Sequence, residues 1–268
     1  MESSTLYLAF GLTILAGLST VLGSVIAFFT SRTNTKLLAA TLGFSAGVML
    51  YVSFVELFPL AGTYLREFAG ESRGDWYATL AFFAGIALIA IIDKLIPTFE
   101  NPHEMRKVEE IEQVREHQYH GLHRTGLMTA LAIAIHNFPE GLVTFSATLA
   151  DPALGLSIAV AVAIHNIPEG IAVAVPVFYA TESRRKAFFY SFISGIAEPF
   201  GALIGFLILS SLTNGPTMGV LFASVAGIMV YISLDELLPS AERYGEHHLS
   251  IYGLLAGMGV MALSLLLL

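Results

Sequence analysis

The chain has 268 residues, 55% of them hydrophobic and only 13% charged, whereas a soluble domain carries roughly 25% charged residues. Its formal charge of −8 gives no basic footprint for nucleic acid, and the lack of cysteine excludes disulfides and thiolate metal sites. These features point to an all-α polytopic membrane protein, since apolar runs of about 20 residues read as bilayer-crossing helices and none here alternates as a barrel strand does.

Eight spans are predicted in chain order: 5–29, 38–60, 76–96, 125–149, 153–179, 187–212, 217–240 and 249–268. The opening MESSTLYLAF has no Lys or Arg ahead of its apolar run, so the first span is expected to be retained rather than cleaved as a signal peptide. The ADPA and TNGP connections are tight and uncharged, while SRTNTK and TESRRK are short and basic. The long polar stretch, 97–123, carries Glu100, Glu104, Glu109, Glu110, Glu112 and Glu116 with His103, His117, His120 and His123. It is expected to lie outside the bilayer as a cytoplasmic loop on a single transmembrane unit, 1–268. Its histidines either hand on or sense a metal, or are incidental to a solvated segment.

Basic residues set the orientation. Arg32, Lys36, Lys94, Arg106, Lys107, Arg115, Arg124, Arg184, Arg185, Lys186 and Arg243 fall on one side, and only Arg66 and Arg73 on the other. The richer side is expected to be cytoplasmic, which places both termini outside a plasma or inner membrane.

Two repeats stand out. AGVMLYVSFVELFPLAGTY (46–64) matches AGIMVYISLDELLPSAERY (226–244) at 10 of 19 positions. The copies fall on the second and seventh spans, which cross in opposite directions, and such inverted repeats mark many transporters. The expected architecture is 3+2+3, with spans 1–3 and 6–8 as related halves around a central antiparallel pair, spans 4 and 5. Gly43 with Gly47, Gly201 with Gly205, and Gly253 with Gly257 have the spacing that lets helices approach closely.

The second repeat carries the chemistry. AIHNFPEG (134–141) recurs as AIHNIPEG (163–170), each within an apolar span. An ionised carboxylate at the bilayer centre costs about 2.5–3.5 kcal/mol on insertion scales, so something must compensate for Glu140 and Glu169. Positions i, i+1 and i+4 share a helix face, which groups His136, Asn137 and Glu140, and likewise His165, Asn166 and Glu169. Pro139 and Pro168 cannot donate to the carbonyls of Ile135 and Ile164, so each helix is expected to bend and free an acceptor. Two imidazoles, two carboxylates and two amide oxygens in one volume suit a borderline divalent ion such as Zn²⁺. Without thiolate the site is expected to hold metal less tightly and to admit Fe²⁺, Mn²⁺, Co²⁺ or Cd²⁺ as well.

Glu198, in SGIAEPFGA on the sixth span, is also central and followed by proline. Alone it would fit a proton site or a structural partner; beside the doubled motif it fits a second metal position bridged by Glu140 and Glu169. Glu56 on the second span and Asp235 with Glu236 on the seventh stand at opposite ends, as an entrance and an exit or as water-exposed acids at helix ends.

These motifs resemble the ZIP (Zrt/Irt-like) family of divalent metal transporters. The two HNxPEG copies and SGIAEPFG carry the resemblance, and the eight-span order extends it over the whole chain. It implies a binuclear centre, with His136, Glu140, His165 and Glu169 at one position and Asn137, Glu140, Asn166, Glu169 and Glu198 at the other. The family further implies import toward the cytoplasm, often by a homodimer, with the metal as substrate and no resident cofactor. Two other classes compete with a metal importer working by alternating access. An intramembrane zinc hydrolase needs an open water position on its metal, yet the chain has no HExxH and its paired carboxylates would saturate the ion. A proton-coupled carrier of organic cations leaves the paired His-Asn unexplained.

Overall fold

The computed structural model describes residues 3–29, 35–95, 121–211, 215–243 and 247–267. Most of the His- and Glu-rich loop expected over 97–123 lies outside them. Eight helices are present among the described residues, with no strand. They are α1 (Ser3–Phe29), α2, α3 (Glu71–Leu95), α4 (Gly121–Ala150), α5 (Pro152–Thr181), α6 (Arg184–Ser211), α7 and α8 (His247–Leu267). Helix α2 comprises Thr35–Val52, a π-helical turn at Ser53–Leu57, and Phe58–Ala69; α7 comprises Gly215–Ile232, a π-helical turn at Ser233–Leu237, and Leu238–Arg243.

Among the described residues seven helices are both long and apolar enough to cross a membrane. Helix α4, 30 residues long, has its apolar run interrupted by His136, Asn137 and Glu140. Large apolar side chains such as Leu15, Trp76, Leu80, Phe83, Phe189 and Leu255 are exposed around the bundle, as a surface solvated by lipid requires. The protein is therefore a multi-pass membrane protein. Its main core packs α2 against α7 through Met49, Leu57, Phe222 and Met229, all 0–2% exposed.

Helix ends follow from local chemistry. Asp151 caps α5, its carboxylate accepting from Ala153 N–H at 2.8 Å, and Pro152 supplies the first turn. One non-helical residue thus reverses the chain between α4 and α5. Gly70, at φ 82°, turns α2 into α3 in a conformation that favours glycine, and Arg66 pairs with Asp75 at 2.8 Å across the bend. Helix α2 runs nine residues beyond the predicted span end at 60, because the segment after its π turn packs on both α3 and α7.

The two π turns lie 180 residues apart, at the spacing of the longer repeat. In each, the N–H after the turn reaches back five residues, from Phe58 to Ser53 and from Leu238 to Ser233. Pro59 and Pro239 follow directly. A proline ring clashes with the carbonyl four residues back, and a widened turn relieves that clash.

Helix packing obeys a second exchange. Helix α1 packs on α5 as α6 packs on α4, and α2 packs on α8 as α7 packs on α3. The glycines at these crossings repeat the pattern residue by residue. A Cβ on Gly23 would meet the Ile167 carbonyl, and one on Gly201 the Phe138 carbonyl. Adding 178 to an α1 number and subtracting 29 from an α5 number converts the first contact into the second. Gly43 and Gly47 likewise abut the carbonyls of Ser250 and Leu254, while Gly253 and Gly257 abut those of Ala40 and Phe44, so the small-residue spacing serves close α2–α8 packing.

Candidate metal centre

Helices α4 and α5 bring together Glu140, His165 and Glu169, whose candidate ligand atoms all lie within 4.8 Å of one another. All three are buried, at 1%, 0% and 4% exposure. His165 Nε2 is 3.0 Å from Glu140 Oε1 on the facing helix and 4.0 Å from Glu169 Oε1 one turn along its own. His165 Nδ1 lies 3.1 Å from the Ala161 carbonyl. Each ring nitrogen thus faces an oxygen that can only accept, the Ala161 carbonyl at Nδ1 and the Glu140 carboxylate at Nε2; a neutral ring with its proton on Nδ1 would leave the Nε2 lone pair for a metal ion. A backbone carbonyl at the other ring nitrogen is how a metal-ligating histidine is commonly held in orientation. Two carboxylates and an imidazole, all buried and this close together, call for a positive charge among them. The oxygen and imidazole donors fit Zn²⁺.

Asn137 and Asn166 are fully buried on the same two helices. The Asn166 amide nitrogen donates to the Ala16 carbonyl on α1 at 3.0 Å and to Glu198 Oε1 on α6. Asn137 donates to Ser194 on α6, to the carbonyl at 3.4 Å and to Oγ at 3.5 Å. The two Oδ1 atoms are buried with no hydrogen-bond partner among the described residues. Each asparagine therefore ties its helix to α1 or α6 through nitrogen and keeps an oxygen in reserve. Glu198 itself is fully buried and joins the cluster through Asn166. His136 stands on α4 one turn before Glu140, with its side chain outside the described residues.

Helices α4 and α5 each run on through their motif prolines, Pro139 and Pro168. The irregular turns fall elsewhere, on α2 and α7. They carry the remaining predicted acids, which stand apart from the buried cluster. Glu56, in the first π turn, is half-buried and interacts electrostatically with Asp151 at the α4–α5 turn. Asp235 and Glu236, in the second, line a cleft with Asp93 of α3, Tyr231 and Ile135, and the Tyr231 hydroxyl donates to Asp235. Asp151 closes α4 whereas Asp93 precedes it near the end of α3, so the two acidic groups lie at opposite ends of the bundle. Ile135 adjoins His136, so this cleft reaches α4 beside the motif.

Several positioning residues escape a reading of motifs alone. Ser45 donates to the His165 carbonyl at 3.2 Å, tying α2 to the centre. Gly141 and Gly170, the last residues of the two HNxPEG copies, abut the backbone carbonyls of Glu198 and Thr20. Their place directly after each Glu was the available signal: a glycine there lets α4 and α5 press on α6 and α1. Asp93 had no signal beyond being an acid near a helix end.

A sequence model of the family described as "ZIP Zinc transporter" matches residues 98–265. The chain belongs to the ZIP family. Curated relatives agree over nearly the full length. A protein of Nitratidesulfovibrio vulgaris named "Zinc transporter ZupT" is 61% identical over 274 residues, covering 100% of this chain and 99% of its own. Proteins of the same name from Clostridium perfringens and Streptococcus mutans are 57% and 58% identical, covering 97% and 99% of this chain and 95% and 99% of their own. Family membership makes the protein a transporter, and the intramembrane hydrolase reading falls.

Proposed function

We propose that the protein carries zinc across the membrane into the cytoplasm, with the Glu140, His165 and Glu169 cluster as the midway binding site. The observation that carries this reading is two carboxylates and an imidazole, buried on facing helices, with ligand atoms within 4.8 Å. Zinc as substrate draws on the names of the relatives. His136 would supply the second imidazole. The Oδ1 atoms of Asn137 and Asn166, with Glu198, would supply a second position sharing Glu140 and Glu169. An all nitrogen-and-oxygen donor set also admits Fe²⁺, Mn²⁺, Co²⁺ and Cd²⁺, and it binds less tightly than thiolate, as suits a site that must release its ion.

In this reading a hydrated cation is collected near Glu56 and Asp151 on the outer side. It exchanges water for the ligands of α4 and α5, and it leaves past Asp235, Glu236 and Asp93 once the surrounding helices move relative to α4 and α5. Zinc uptake into proteoliposomes tests the proposal. Glu140→Ala and Glu169→Ala should each lower uptake by more than about tenfold, since removing even an outer-shell partner costs a metal site about 10- to 100-fold. Wild-type uptake by both variants, reconstituted to the same level, would refute a central role for the pair.

A further inference from the structure

The pseudo-symmetry of the bundle identifies the residue of α1 that stands where α6 has Glu198. AGLSTVLGS on α1 and SGIAEPFGA on α6 align at an offset of 178, with Gly17 over Gly195 and Gly23 over Gly201. The two first glycines press on each other's carbonyls. Asn166 donates to the Ala16 carbonyl as Asn137 does to that of Ser194. Gly170 abuts the Thr20 carbonyl as Gly141 abuts that of Glu198. Each relation puts Thr20 where α6 has Glu198.

Thr20 is fully buried, and its Oγ1 has no hydrogen-bond partner among the described residues. Its neighbours on α1 behave differently: Thr13, Ser19 and Ser24 bond back to their own helix at 2.8, 2.6 and 2.7 Å. That is the usual recourse of a helical hydroxyl. For Thr20 the acceptor four residues back is the Ala16 carbonyl, already taken by Asn166 and Ser19. The hydroxyl is thus held in a buried polar neighbourhood with its i−4 acceptor occupied and no hydrogen-bond partner among the described residues. A Cβ on Gly195 would lie 3.4 Å from that of Thr20. Gly195 adjoins Ser194, the acceptor of Asn137, whose own Oδ1 also has no hydrogen-bond partner.

We infer that Thr20 is a further metal-binding residue of the centre: its hydroxyl gives a neutral oxygen donor on the Asn137 side, where the pseudo-twofold would place a fourth carboxylate. Glu140, Glu169 and Glu198 bring three negative charges against the four positive charges of two divalent ions. Thr20 leaves that balance one charge short, so the second ion is held more weakly than the first and departs more readily. This inference rests on the zinc reading above.

The test is zinc binding to the purified full-length protein in detergent, by calorimetry with metal analysis of the isolated complex. Thr20→Glu should tighten the second equivalent of zinc by at least about tenfold, the change that 1.4 kcal/mol produces. Thr20→Val, which keeps the shape and removes the oxygen, should weaken it. The exchange Thr20→Glu with Glu198→Thr should regain second-equivalent binding that Glu198→Thr alone loses. Wild-type affinity and stoichiometry in both single Thr20 variants, or an exchange that binds no better than Glu198→Thr, would overturn the inference. If Thr20→Glu does not fold, Thr20→Val against Thr20→Ser decides: equal binding by the two overturns it, and weaker binding by Val alone supports it. Failure of the wild-type protein to bind zinc would instead strike the proposed function.

Discussion

Replacing Gly170 or Gly141 by alanine probes the fold and the centre together. The added Cβ at Gly170 meets the backbone carbonyl of Thr20, and at Gly141 that of Glu198. Neither obstacle is the end of a flexible side chain, so the helices themselves must separate, by roughly 1.5 Å to restore a van der Waals contact of about 3.5 Å. Overpacking of this kind costs about 1–3 kcal/mol. The displaced turn carries Glu169 or Glu140, and zinc bonds of about 2.0–2.2 Å tolerate errors of only about 0.2 Å. A loss of about 1.4 kcal/mol in binding is tenfold in affinity, so zinc should bind roughly 10- to 100-fold more weakly. Gly11→Ala is the control: nothing lies within 4 Å of a Cβ there, and alanine favours the helix by about 0.5–1 kcal/mol. Thermal melts in detergent and zinc calorimetry read both effects. If Gly170→Ala and Gly141→Ala melt and bind like Gly11→Ala, the close crossings do not position the carboxylates.

Two more outcomes follow from the same geometry. Zinc affinity should fall on acidification, because ligating imidazole and carboxylate must be deprotonated; the sign is set by protons and metal competing for the same donor atoms of Glu140, His165 and Glu169, and affinity that rises on acidification would contradict it. Asp235→Asn with Glu236→Gln should slow zinc uptake into vesicles while leaving equilibrium affinity at the buried centre within about threefold, since the pair lies in a separate cleft at one end of the bundle; a large loss of affinity with unchanged uptake rate would reverse their assignment.

Much of the site was legible because its chemistry is improbable in hydrocarbon. A doubled His-Asn-Pro-Glu inside apolar runs has no cheap explanation in lipid, and the helix period alone groups each set on one face. The mutual approach of Glu140, His165 and Glu169 follows from that pattern plus a tight turn capped by Asp151. The roles of the prolines were harder to read. Composition shows Pro59, Pro139, Pro168 and Pro239 alike, yet only Pro59 and Pro239 follow π turns. Whether a proline widens a turn or is absorbed into a regular helix depends on what packs beside it.

The sequence by itself determined the all-helical membrane class, the spans, the 180-residue repeat and the facing motifs, because hydrophobic length and helical period are local properties that solvent enforces everywhere along the chain. Only the tertiary structure decided which atoms meet. Asn166 could have turned either end of its amide inward, and packing against Ala16 and Glu198 settled that nitrogen goes to its neighbours. The same is true of Thr20, an ordinary residue on an apolar helix until α1 is laid against α5 and α6. Contacts between distant segments depend on backbone approach at glycine crossings, and no local pattern records how close two helices come.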